Sequence, residues 1–334
     1  MLSDELKKRS VNLQLIKGFA AIGVIFAHSF ALSNNTHDFL CYLTRGTLDF
    51  GSLGVAIFFL ASGLLVSKSV RKGSAGEYWR KRCIRIFPPL IAVAILSIIL
   101  GGFVTELAPS AYWTSASTWK YLLNGVLILQ HDLPGVFLHN IYGRTVNGAL
   151  WTMPVEFLCY ILIFIIYKLR FLERKRYIWG FTAFVILAIG ARYYLFAHNM
   201  SALASAIQPV YFFVVGGLLN VYSDIIPMKK WLLLISAAGF VVCHVLGVGV
   251  VANWLFLPYI IVYFSFMKPQ YKGKIIPRLG DLSYVIYLVA FPIQQTLAFA
   301  NGGAMNPYVN FAVASVISLL VGIILNVTVE KRFS

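Results

Sequence analysis

Ten stretches of this chain are apolar over 17 to 22 residues each, at 13–32, 51–67, 86–104, 149–167, 177–196, 205–222, 231–248, 251–267, 280–300 and 307–328. A run of about 20 such residues is the length that crosses the hydrocarbon layer as one helix, and helices satisfy their own backbone hydrogen bonds there. The expectation is an all-α, polytopic membrane protein with about ten transmembrane helices. Composition agrees: 59% of the 334 residues are hydrophobic and 12% are charged, against roughly 45–50% and 25% in soluble domains. A water-soluble globule is excluded. Length alone would suggest two soluble domains, but ten spans with short connections account for it as one membrane domain over 1–334, with no fused soluble domain.

The charges orient the chain. The net charge is +16, a balance that in a soluble protein would point to nucleic acid. Here 24 of the 28 basic residues fall into segments that ten crossings place on the same side as the N-terminus, around Lys7 to Lys17, 68–85, 168–176, 229–230, 268–278 and 331–332. Arg45, Lys120, Arg144 and Arg192 are left for the other side. That asymmetry is the positive-inside pattern, so both termini are expected in the cytoplasm. The partner of the basic surface is the bilayer, with no nucleic acid implied. The first apolar run contains Lys17 and has no convincing cleavage site after it, so it reads as an anchor and not a removable signal.

Residues 119–130 (WKYLLNGVLILQ) are apolar but too short to span, and a crossing there would turn the basic 168–176 segment outward. They read as a re-entrant or interfacial piece. They lie in the longest non-spanning stretch, 105–148, which carries His131, Asp132, His139, Asn140, Tyr142 and Arg144. As a long external segment it is the expected place for an outward-facing substrate. No internal repeat is visible, which gives an inverted-repeat transporter no support. The four cysteines, Cys41, Cys83, Cys159 and Cys243, are too dispersed for a metal pair or a disulfide framework.

Ionisable groups inside apolar spans are costly and mark functional sites by default. Three qualify: Lys17, His28 and Glu156. Lys17 and His28 lie eleven residues apart in LIKGFAAIGVIFAHSF. At about 100° and 1.5 Å per residue they share one helix face, roughly 16 Å apart along the axis. Lys17 alone reads equally as a snorkelling anchor, and His28 alone as a buried imidazole joining two helices. Together they form a polar stripe of the kind that lines a passage, with histidine suited to take a proton near neutral pH. Glu156, in GALWTMPVEFLCY, enters from the outside to a depth of roughly 10 Å, near the level of His28. There it would orient the imidazole, stabilise its protonated form or position a hydroxyl, or else pair with a basic group such as Arg45 or Arg144 as a structural tie. In EYWRKRCIRIFPPL, ahead of a span opening with Pro88 and Pro89, Arg82 and Arg85 stand at i and i+3. Topology alone favours basic residues there, yet this spacing also makes a fork for phosphate oxygens of a cytosolic cofactor.

In ordered succession, these elements resemble the acyltransferase-3 family of integral membrane acyl transferases. The likeness runs through Lys17 and His28, GVAIFFLASGLL, RKRCIRIFPPL, NGALWTMPVEF, LGDLSYVIYLVAFP from Leu279, and the terminal VEKRF. It implies a ten-helix enzyme of a bacterial cytoplasmic membrane, moving an acyl group, usually acetyl, from acyl-coenzyme A (acetyl-CoA) to a glycan or lipid-linked saccharide acceptor. By that analogy His28 is the catalytic histidine, Glu156 an active-site acid, and Lys17, Arg82 and Arg85 hold the coenzyme A donor, with no metal. The chain departs from the family pattern at Lys17, where arginine is commoner, at Thr152, where serine is common, and at Ala290, where many relatives carry histidine. A proton-coupled transporter or flippase for a lipid-linked sugar is the rival reading, because a Lys, His and Glu set also serves a proton relay.

Overall fold

Helices occupy all ten apolar stretches in the computed structural model of the chain, which describes residues 1–7, 10–33, 37–268, 270–271 and 276–330. They are α1 (Val11–Ala31), α2 (Phe50–Ser69), α3 (Ala75–Val104), α4 (Thr152–Lys168), α5 (Arg174–Ala197), α6 (Ser201–Val221), α7 (Lys230–Val245), α8 (Gly249–Phe266, interrupted at Phe256 ahead of Pro258), α9 (Ile276–Ala300) and α10 (Pro307–Leu325). Among the described residues there is no β-strand, only two isolated bridges. Eight of these helices are long and apolar enough to cross a membrane. The other two, α4 at 17 residues and α7 at 16, are shorter than that measure. Of the basic residues that set the expected orientation, Lys8, Arg9, Lys272, Lys274, Lys331 and Arg332 lie outside the described residues, as does most of the VEKRF element.

Helix starts are written locally. Ser10 caps α1 by accepting from the Leu13 N–H at 3.2 Å, Ser74 caps α3 from Glu77 at 3.2 Å, and Asn306 caps α10 from Tyr308 at 3.0 Å ahead of Pro307. Each cap satisfies a donor that the first helical turn leaves orphaned. The cap at Ser74 corrects the expected start of the third span. α3 begins at Ala75, not near residue 86, and runs 30 residues through Pro88 and Pro89. The RKRCIRIF element is therefore helical and continuous with the span, which fixes Arg82 and Arg85 on one face.

α2 is the hub. It packs against α1 on one side and α6 on the other. A Cβ on Gly63 would collide with the backbone carbonyl of Phe213, and one on Gly216 with that of Leu60. Small residues thus let two backbones touch where lipid offers no hydrophobic drive for helices to associate. α9 is also buried, with polar side chains tying its neighbours: Gln294 donates to the Ile25 carbonyl at 2.8 Å, to Ser29 Oγ at 2.8 Å and to Asn310 Oδ1 at 3.0 Å.

The 119–130 segment is no spanning helix: a short helix at Ala116–Lys120 passes into a 3-10 turn at Tyr121–Val126, ended by Leu127 at φ 67°. The later part of the 105–148 connection is docked onto α9, while Tyr112 of the earlier part donates to the Ile98 carbonyl of α3 at 2.8 Å. Gln295 donates to the carbonyls of Gly143 and Thr145 (3.2 and 2.8 Å), Asn140 donates to Gln295 Oε1 at 2.7 Å, and Asn147 donates to the Leu288 carbonyl at 2.8 Å.

Candidate active site

Two cavities are stacked along α1. The first, about 90 Å³, is lined by Lys17 of α1, Arg82 and Arg85 of α3, Thr152, Glu156 and Tyr160 of α4, Tyr284 and Tyr287 of α9, and Ser62 among residues of α2. Four of the five residues singled out in the sequence therefore meet in one slender slot. The second, about 430 Å³, contains the fifth, His28, with Trp151, Tyr287, His37, Asp38, Asp49, Arg192 and Gln208. Val55 and Tyr287 line both. The stripe expected from the Lys17 to His28 spacing is real, and each of its ends faces a different chamber.

In the first chamber the cations rest on aromatic faces. The Arg82 guanidinium lies 5.8 Å from the Tyr78 ring centre and 5.4 Å from that of Tyr160, and Arg85 lies 5.4 Å from that of Tyr284. Such contacts hold a positive charge in place without neutralising it. Arg82 Nε is buried with no hydrogen-bond partner among the described residues. A buried charged donor left unsatisfied is costly, and an anionic ligand oxygen would satisfy it. Glu156 is buried and accepts a hydrogen bond from the Tyr160 hydroxyl. Tyr160 is held in turn by Tyr78, whose hydroxyl donates to the Tyr160 carbonyl at 2.8 Å.

This arrangement differs from two expectations. Glu156 neither orients the imidazole nor pairs with Arg45 or Arg144; it is bonded to Tyr160, one turn away on the same helix, and it does not line the His28 chamber. The bond to Tyr160 follows from the one-turn spacing, whereas the rotation of α4 about its own axis decides which chamber that face lines, and depth along the span does not reveal it. Nor does the 105–148 connection line the His28 chamber. The loop lining comes from His37, Asp38, Thr47 and Asp49 in the shorter connection between α1 and α2, while Asn140 and Asn147 of the longer one bond to α9.

His28 is partly exposed to its chamber, and its Nδ1 has no hydrogen-bond partner among the described residues. The ring is held by an edge contact to Phe291, with centres 5.0 Å apart, and Tyr142 packs on the other part of Phe291 at 5.3 Å. Across the partition, the Tyr287 hydroxyl lies 2.9 Å from Thr152 Oγ1 and donates to the Ala149 carbonyl at 3.0 Å. Thr152 thus keeps the hydroxyl that serine would supply. Ala290, which departs from the histidine of many relatives, is packed in a buried apolar cluster with Ala21 and Ile25.

Several site residues escape a reading of the sequence. Tyr284 and Tyr287 stand at i and i+3 in α9, a spacing that puts them on one face, but tyrosine in an apolar span is too ordinary a signal. Asp38 and Asp49 each accept from a backbone N–H at a helix start, Cys41 at 3.1 Å and Ser52 at 2.5 Å, and so resemble plain caps. Arg192, assigned to the outer side as one charge among four, sits inside α5. Among the described residues no group of three or more His, Cys, Asp or Glu is placed to hold a metal ion.

Comparison with known proteins follows the same line. The profile of the family described as an acyltransferase domain (Acyl_transf_3) matches residues 10–327. The chain is 29% identical over 331 residues to an O-acetyl transferase of Shigella phage Sf6, covering 94% of this chain and 93% of that one. It is 32% identical over 161 residues to Nodulation protein 10 of Rhizobium leguminosarum bv. viciae (46% of this chain, 42% of that one). It is 27% identical over 187 residues to Acyltransferase MdmB of Streptomyces mycarofaciens (54% and 45%). No solved structure matches.

Proposed function

The chain belongs to the acyltransferase-3 family, and from that premise we propose that it is a membrane O-acyltransferase moving an acetyl group from acetyl-CoA to a hydroxyl of a cell-surface polysaccharide or of its lipid-linked precursor. One observation carries the reading: a cationic slot and a histidine chamber stand back to back on α1 and share Val55 and Tyr287. In this reading the chain is one membrane domain that crosses a bacterial cytoplasmic membrane ten times with both termini inside. The cationic slot is then reached from the cytosol and the histidine chamber from the opposite side.

The donor's phosphates are bound by Arg82 and Arg85, whose forked donors suit phosphate oxygens better than an ammonium does. Its nucleotide stays at the mouth, since a slot of about 90 Å³ holds only a slender chain. The pantetheine arm follows Lys17 toward the partition, placing the thioester carbonyl beside Tyr287. His28 takes the proton of an acceptor hydroxyl as its oxygen bonds to the carbonyl carbon. The carbon–sulfur bond breaks, and the thiolate leaves with the electron pair and is protonated. In the alternative version His28 is itself acylated and passes the group on. An acid-labile acyl-histidine trapped without acceptor identifies that version.

The unpartnered Arg82 Nε and the three cations around one slot support a polyanionic donor. A proton relay for a flippase would need Lys17, His28 and Glu156 along one path, and Glu156 is in the other chamber from His28. The test is the melting temperature of the detergent-purified protein with coenzyme A. Mass action raises it for a protein that binds the ligand, and no rise would leave the donor assignment without support. Mass spectrometry of envelope glycans with and without the gene then locates the acetyl group.

A further inference from the structure

The His28 chamber has a flank that opens toward the outside of the bundle. Arg192 stands five residues before the end of α5 at Ala197, about 8 Å from that end at 1.5 Å per residue. With Phe196 it lines the His28 chamber, and the same two side chains line a separate groove of about 590 Å³ between α5 and α8. Apart from Arg192, the groove is walled by apolar and aromatic side chains, among them Val185 and Ile189 of α5 and Val250 of α8. Its far wall is rigid: Trp254 stacks on Tyr211 with ring centres 4.3 Å apart, and the Tyr211 hydroxyl donates to the Trp254 carbonyl at 2.7 Å.

An arginine within a spanning helix is costly and is normally paired. The Arg192 guanidinium lies 4.9 Å from the Phe196 ring centre, and no carboxylate is within ion-pair distance of it among the described residues. With Asp38 and Asp49 in the same chamber but beyond ion-pair distance, the half-buried guanidinium is open to an anionic group of a ligand. Three environments therefore follow one another: a hydrocarbon-facing groove, a lone guanidinium, and a polar chamber with His28, Asp49 and Gln208. One class of molecule matches all three in order, an amphiphile with a long hydrocarbon tail, a phosphate linkage and a sugar head.

We propose that Arg192 anchors the phosphate of a lateral acceptor site, so that the acceptor is a lipid-linked saccharide with its hydrocarbon chain in the α5–α8 groove and its sugar at His28. The inference rests on the acyltransferase reading and narrows its acceptor to the membrane-bound form.

The test uses the full chain in phosphatidylcholine nanodiscs with a polyprenyl diphosphate carrying a photoreactive group in its chain, the adducts being mapped by mass spectrometry. Adducts on α5 or α8 are expected, falling roughly tenfold or more in Arg192→Gln, as removal of a charge-assisted hydrogen bond to phosphate implies, and recovering in part in Arg192→Lys. Ile189→Trp, which narrows the groove and keeps the charge, is expected to reduce labelling as well, and it serves alone should Arg192→Gln fail to fold. Labelling unchanged in the variants, or adducts elsewhere, overturns the proposal. Equal competition by phosphatidylglycerol also overturns it, because the groove would then be a general lipid contact. Thermal stabilisation of the wild-type protein by coenzyme A is measured in parallel. With it present and labelling absent, only this inference fails; with it absent, the reading beneath fails.

Discussion

Along α1, the chamber at Lys17 is about 90 Å³ and walled by the interiors of four other helices, whereas the chamber at His28 is about 430 Å³ and walled largely by helix ends and the connection between α1 and α2. In the first, cations lie on the rings of Tyr78, Tyr160 and Tyr284. In the second, the carboxylates of Asp38 and Asp49 are engaged with backbone N–H groups of α2, and among the described residues no hydrogen bond holds the Nδ1 of the histidine ring. Under the proposed function the contrast matches two different tasks. A donor of one fixed shape suits a narrow slot made of rigid helices, and an acceptor of variable shape suits a wider chamber whose rim is loop. His28, the base of the proposed reaction, stands in the wider one.

His28→Ala attacks the contrast most directly. A general base contributes about 10²- to 10⁴-fold, so kcat should fall by that order. The Michaelis constant for acetyl-CoA should stay near the wild-type value, because His28 does not line the slot proposed for the donor. Steady-state acetyl transfer measures both, and a matching loss of donor affinity would mean that the chambers are not separate. Replacing Arg82 and Arg85 together by alanine should act the other way. A hydrogen bond to a charged group contributes about 1.5–3 kcal/mol, so the Michaelis constant for acetyl-CoA should rise about tenfold or more and stabilisation by coenzyme A should vanish. The smallest effect belongs to the partition. Tyr287→Phe removes the hydrogen bonds to Thr152 and the Ala149 carbonyl, each worth about 0.5–1.5 kcal/mol. Transfer should slow by less than about tenfold, with melting temperature the second readout.

Much of this was legible in residue spacing. The apolar runs predict where helices form, since each must satisfy its own backbone in lipid, and helices stand at all ten. The i, i+3 spacing of Arg82 and Arg85 puts them on one face, and they do line one slot. Less legible were the ends of elements: α3 starts eleven residues earlier than its apolar run because Ser74 caps it and helix persists through charged residues. Arg192 was hidden by the charge asymmetry itself, which counts arginines by side and not by what surrounds them.

Glu156 shows where such reasoning stops. Its depth in the span and its place on one face with Tyr160, one turn on, follow from counting residues, but which chamber that face lines depends on how α4 is rotated against α2, α3 and α9, and no period within α4 records that. The amino-acid order by itself determined an all-helical membrane chain, its costly polar positions and the single face shared by Lys17 and His28, because these follow from hydrocarbon thickness and helical pitch. Only the tertiary structure decided that this face borders two chambers and not one continuous groove. Val55 of α2 and Tyr287 of α9, 232 positions apart in the chain, line both chambers, a placement set by packing between helices that local sequence does not encode.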